Sequence, residues 1–223
     1  MILVATLLAC KSNKIESTKE AKPLSKKIRY LALGDSYTIG ESVEAENNYP
    51  HLLEKKLINA GILVEETKII AKTGWKTDDL LKAIKKEKLT RTFDIVTLLI
   101  GVNNQYQQKP IEQYKKEFRA LLKTAIELSD GKKERVFVIS IPDYAYTPFG
   151  NGDPSISQEI NSYNNFASNY CSQNNISFIN ITDITRQGLI NPNLVASDNL
   201  HPSELAYSMF VERILPVVVQ KIQ

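Results

Sequence analysis

One histidine in this chain has a carboxylate three residues before it: His201, preceded by Asp198 in Ser197-Asp198-Asn199-Leu200-His201-Pro202. A carboxylate at that spacing reaches the imidazole Nδ1–H within one turn of chain and fixes the tautomer, so that Nε2 is free to take a proton. A serine hydroxyl is a poor nucleophile without such a base. The matching serine is Ser36 in Gly34-Asp35-Ser36-Tyr37, directly after the apolar run 28–33 and followed by Gly40. A glycine at 34 lets the backbone turn sharply, so the Ser36 hydroxyl projects while its N–H points toward whatever the hydroxyl attacks.

Two more motifs each follow a stretch that reads as a strand. In Gly101-Val102-Asn103-Asn104, after 94–100, the Asn103 amide can donate to a developing oxyanion, and in Thr73-Gly74-Trp75 the backbone N–H of Gly74 can approach a ligand closely. Each motif alone has a plain structural reading: Gly-Asp-Ser and the Asn pair as turns, Asp-x-x-His as a helix cap beside a surface histidine. His51, the remaining histidine, follows Pro50 at the start of an amphipathic stretch and reads as structural.

Together, and in this order, the four blocks resemble those of the SGNH (GDSL-like) hydrolases: Ser36 in the first, Gly74 in the second, Asn103 in the third, Asp198 with His201 in the last. The resemblance spans nearly all of residues 28–223. It implies a flavodoxin-like α/β/α fold and a carboxylic ester hydrolase that works through an acyl-enzyme without cofactor or metal. It also implies a triad of Ser36, Asp198 and His201, with oxyanion donors from Ser36, Gly74 and Asn103. Two positions depart from the family pattern, Tyr37 in place of Leu and Asn104 in place of Asp. No G-x-S-x-G is present, so an α/β-hydrolase elbow is not the comparison.

The elements that must position these residues are also readable. Short β-rich runs alternate with amphipathic stretches, which predicts βαβ units, a mostly parallel five-stranded sheet and helices on both faces. Strands are expected at 28–33, 63–71, 94–100, 135–141 and 176–180, and helices at 49–60, 77–86, 110–129, 157–173 and 203–219. Pro110 fits a first helical turn, and Gly61 and Gly131 fit helix ends. The stretch from Pro142 to Pro154 (PDYAYTPFGNGDP) has no period and reads as a functional loop. Its Tyr144, Tyr146 and Phe149, with Tyr106 after the third block, are the candidate substrate-binding walls.

A length of 223 residues with 43% hydrophobic and 24% charged content suits one globular domain, expected at 28–223. The net charge of +3 belongs to a tail, because six lysines against two glutamates make residues 11–27 +4 and leave the body at −1. No basic face with interleaved aromatics suggests nucleic acid. Cys10 and Cys171 are too far apart in sequence to read as a CxxC site, and two histidines with no HExxH make a catalytic zinc improbable. Cys171, within an amphipathic stretch, reads as an inert packed thiol.

Residues 1–10 (MILVATLLAC) resemble a bacterial lipoprotein signal with its lipobox, which implies a lipid-modified Cys10 and residues 11–27 as a flexible tether with a mean reach of about 20–25 Å. The expectation is a membrane-anchored enzyme of the bacterial cell envelope; without a signal the chain would be cytoplasmic. A monomer is expected. With no long insertion to form a lid, an open cleft suits short acyl groups on carbohydrate or similar carriers. The alternatives are a lysophospholipase or lipase acting at a membrane surface, and a non-catalytic flavodoxin-like binding module that cradles an anion at the Ser36–Thr38 turn.

Overall fold

The structure, a computed structural model, describes residues 27–222. The expectations for a signal at 1–10, a lipidated Cys10 and almost all of the tether lie outside the described residues.

The five strands β1 (Ile28–Gly34), β2 (Val64–Ala71), β3 (Ile95–Leu99), β4 (Val136–Ile139) and β5 (Ser177–Ile179) form one sheet in the order β2-β1-β3-β4-β5. Every pairing is parallel, with Leu31 of β1 opposite Lys68 on one side and Val96 on the other. β3 and β4 are buried along their whole length, which is why they read as continuous apolar runs. Edge strand β2 instead carries exposed Glu65 and Glu66, charges that discourage pairing with another chain. Thr97, a polar residue in the middle of β3, is satisfied by the phenols of Tyr30 at 2.9 Å and Tyr49 at 3.1 Å.

Eight α-helices follow in chain order among the described residues: α1 (Ser36–Ile39), α2 (Tyr49–Asn59), α3 (Thr77–Glu87), α4 (Val102–Tyr106), α5 (Ile111–Leu128), α6 (Pro154–Gln173), α7 (Thr182–Thr185) and α8 (Glu204–Ile222). α2 packs with α8 on one face of the sheet, while α3, α5 and α6 pack together on the other. Right-handed crossovers dictate this division. The step from β1 to β2 runs one way across the sheet and the later steps run the other, so their helices fall on opposite faces. The reversal leaves a crevice beyond the carboxyl ends of β1 and β3, where parallel α/β sheets bind ligands.

The α/β/α fold and its five strands agree with the sequence reading, most boundaries shifting by one or two residues. Three short helices, α1, α4 and α7, were not anticipated; at four or five residues each they are too short to show a helical period. Helix α6 begins at Pro154, three residues before the expected start, because proline suits a first helical turn and Asp153 caps it by accepting the Ser155 N–H at 2.8 Å.

Candidate active site

Ser36 opens α1 immediately after β1. Asp35 caps that helix, its Oδ1 accepting the Tyr37 N–H at 3.1 Å, and Gly40 ends it in the left-handed conformation. Gly34 is required by closeness: a Cβ there would lie 2.0 Å from Thr38 Oγ1 and 2.5 Å from the Leu99 carbonyl of neighbouring β3. The Ser36 N–H occupies a first helical position, where no intrahelical acceptor exists, so it is available to a ligand.

The last block approaches from the opposite end of the chain. An antiparallel bridge between Val195 and Pro202 closes a loop, and the Ala196 N–H donates to the His201 carbonyl at 2.8 Å. Inside that loop, Asp198 Oδ1 accepts the backbone N–H groups of Leu200 at 3.0 Å and His201 at 2.9 Å. Asp198 Oδ2 lies 2.5 Å from His201 Nδ1, and His201 Nε2 lies 3.0 Å from Ser36 Oγ. Burial works to raise the Asp198 pKa. The hydrogen bonds from the His201 ring and backbone, the Ser42 hydroxyl and the Leu200 N–H outweigh it and hold the carboxyl at about 2. The Tyr37 ring packs against the imidazole with centroids 5.0 Å apart, so the residue that replaces the family's Leu shields one side of His201.

Asn103 lies in α4, beyond the end of β3. Gly101 precedes that helix at φ 133°, and a Cβ on it would meet the Tyr114 ring at 2.7 Å. Asn103 Nδ2 is 3.5 Å from Asp35 Oδ2, a long contact that leaves the amide able to turn to another acceptor. Asp35 is fully buried, and desolvation lifts its pKa to about 7 against the pull of the Tyr37 N–H and the Asn103 amide. Gly74 has φ 81° with open space where a side chain would go, so its backbone conformation calls for glycine; Gln107 Nε2 holds its carbonyl at 3.1 Å.

Asn104, the second departure from the family pattern, has a definite task. Its Oδ1 accepts the Thr77 N–H at 3.1 Å and its Nδ2 donates to Thr77 Oγ1 at 2.8 Å, while that hydroxyl donates onward to Glu117. A carboxylate cannot supply the middle donor. The amide therefore pins the start of α3, and the Gly74 loop before it, to α4.

Ser36, Gly74, Asn103 and His201 all line one open cleft of about 260 Å³. Tyr106, Tyr144 and Phe149 form its aromatic wall, with ring centroids 6.0–6.2 Å apart in each pair. Tyr146 lies outside that lining and corrects the sequence expectation: Tyr144–Tyr146 is a turn of 3-10 helix, which rotates each residue about 120° from the last, so Tyr144 and Tyr146 face different ways. Thr73, Val102 and Leu200 also line the cleft, unforeseen in the sequence although each adjoins a motif residue. Equally unforeseen is the ion pair that fixes the aromatic loop, in which Arg186 Nε donates to buried Asp143 Oδ2 at 2.9 Å. Nothing in sequence linked residues 43 positions apart.

His51 lies outside this cleft, with Nδ1 2.7 Å from the Ala45 carbonyl and 3.0 Å from Asn48 Oδ1 at the start of α2. Cys171 is buried in α6, and desolvation pushes its thiol up to about 12.

A family model described as the GDSL-like Lipase/Acylhydrolase family matches residues 32–209. The chain belongs to that family. As a GDSL-like family member it is a carboxylic ester hydrolase. Its fold is shared with an acetyl xylan esterase from Geobacillus stearothermophilus, 16% identical with a TM-score of 0.69 over 87% of this chain and 95% of that one. It is also shared with a lipase/acylhydrolase from Enterococcus faecalis, 20% identical with a TM-score of 0.67 over 87% and 96%. A lipolytic G-D-S-L protein from Veillonella parvula is 19% identical with a TM-score of 0.68 over 86% and 98%. No curated protein matches by sequence.

Proposed function

We propose that this GDSL-like hydrolase is a serine esterase that works through an acyl-enzyme. His201 Nε2 takes the proton of Ser36 as its Oγ attacks the ester carbonyl, and returns it to the leaving alcohol; water then releases the acyl group by the same route. Asp198 holds the imidazole and stabilises its cation. The N–H groups of Ser36 and Gly74 and the Asn103 amide receive the oxyanion. One observation carries this reading: Ser36 Oγ, His201 and Asp198 form a continuous relay at 3.0 Å and 2.5 Å whose serine end opens into the cleft. A binding module gives Asp198 and His201 no shared task, so this convergence disfavours it.

The substrate we propose is a short acyl ester on a carbohydrate or similar carrier. An open cleft walled by aromatic rings supports this, Tyr106 and Phe149 being exposed enough to meet a bulky alcohol. The shared fold with an acetyl xylan esterase is consistent with it. The pattern of residues 1–10 supports a lipid anchor at Cys10 and a place in the bacterial cell envelope. A series of p-nitrophenyl esters from acetate upward tests the acyl preference. Maximal kcat/KM at acetate or propionate is expected, whereas a maximum beyond about eight carbons favours the lipase reading. Replacing Ser36 with Ala must abolish the activity with the fold intact.

A further inference from the structure

The turn that follows the nucleophile touches the site from two other sides. The N–H groups of Gly40 and Glu41 both return to the Ser36 carbonyl at 3.1 Å, and the Val43 N–H closes on the Gly40 carbonyl at 3.2 Å. Ser42, between them, is held at φ 67°, a left-handed backbone that residues other than glycine rarely adopt. From there its Oγ donates to Asp198 Oδ2 at 2.7 Å, the same oxygen that faces His201 Nδ1. One residue earlier, the Glu41 carboxylate accepts the hydroxyl of Thr73, the neighbour of Gly74. Both bonds are tertiary, joining this turn to partners 156 and 32 residues away.

We propose that Glu41 and Ser42 are positioning residues, and that the turn 40–43 braces the base's carboxylate with one arm and an oxyanion-donor loop with the other. The inference rests on the roles given above to Ser36, Gly74 and Asp198. An ionised carboxylate has about four acceptor sites. In Asp198 the two backbone N–H groups take Oδ1, and the imidazole and Ser42 share Oδ2. Without the Ser42 hydroxyl the Oδ2 end is fixed by the imidazole alone, so the ring it orients loosens with it. Without Glu41, the Gly74 peptide keeps the Gln107 contact to its carbonyl but loses the bond that holds the preceding residue. Neither Glu41 nor Ser42 lines the cleft, so neither side chain is available to bind substrate in its ground state. Their loss should appear in kcat with KM unchanged.

Both bonds lie at exposed positions, so a merely structural role predicts little change in anything. The test compares kcat, KM and melting temperature for p-nitrophenyl acetate hydrolysis in the full chain with Ser42→Ala, Ser42→Gly, Glu41→Ala and Thr73→Ala. The brace requires about a tenfold fall in kcat for Ser42→Ala and Ser42→Gly with KM retained. Glycine relieves the left-handed backbone, so Ser42→Gly must lose kcat while melting no lower than the parent. Glu41→Ala should lose a similar factor, and because Thr73 also lines the cleft, adding Thr73→Ala to it should cost less than Thr73→Ala costs in the parent. The low-field proton resonance of the His201–Asp198 hydrogen bond should move in Ser42→Ala and stay in Glu41→Ala. Unaltered kcat in Ser42→Gly and Glu41→Ala, in a parent that hydrolyses the ester, overturns the brace alone. A parent inactive on every ester of the series overturns the esterase reading and the brace with it.

Discussion

Asn103 Nδ2 and Asp35 Oδ2 face one another at 3.5 Å, joining the residue before Ser36 to the amide proposed as oxyanion donor. The carboxyl is fully buried, its other oxygen already engaged by the Tyr37 N–H. Burial sets the behaviour of this acid.

That burial makes stability depend on pH in a particular direction. Asp35 loses its proton at about 7 in the folded protein and at about 3.9 in the unfolded chain. Between those values the folded state holds a proton that the unfolded state has released. The contribution is therefore full below the lower value and is lost as pH rises through the upper one, at most about 4 kcal/mol in all. Asp35→Asn removes the titration. In urea unfolding, the variant should gain on the parent between about pH 5 and pH 8. A difference that stays constant with pH disproves the assignment.

Asp198 titrates the opposite way. Its folded pKa is depressed to about 2, so the stability it lends is present above the unfolded value of about 3.9 and disappears as pH falls toward 2. At neutral pH the consequence is kinetic. Asp198→Asn keeps the volume but favours the wrong tautomer of His201, and kcat should drop about 10³- to 10⁴-fold. Labelling of Ser36 by a fluorophosphonate should slow in parallel. Labelling at the parent rate tells against this role.

Removing the amide proposed to receive the oxyanion isolates a different contribution. Asn103→Ala should lower kcat about 10²- to 10³-fold with little change in KM, because the developing charge, and not the ground-state ester, needs the donor. Loss confined to KM indicates a substrate contact instead.

Asn104 tests the departure from the family pattern. Asn104→Asp removes the donor to Thr77 Oγ1, and the hydroxyl must then abandon either the new carboxylate or Glu117. A loss of about 1–3 kcal/mol in denaturant unfolding is expected, the usual size for a stranded buried polar group. Glu117→Gln in the same chain should recover part of it by supplying a donor. No change in stability for the single variant rules out the bonded chain.

The sequence by itself determined what acts over short chain distances. Strand runs at 28–33 and 94–100, the sharp turn at Gly34, and the Asp198–His201 spacing were legible because side-chain period, backbone freedom and the reach of a carboxylate are local properties. The ordered blocks identified the family, and with it the expectation that Ser36 and His201 would meet.

Only the tertiary structure decided which groups touch across the chain. That Ser42 reaches Asp198, that Asp143 pairs with Arg186, and that Asn104 grips Thr77 depend on crossovers which put distant loops on one sheet end. Tyr146 was misplaced for a related reason: its irregular stretch has no period, so only the folded 3-10 turn sets which side chains face the cleft. A local pattern fixes a residue's own backbone, whereas its partner is fixed by packing, and packing is a property of the whole sheet.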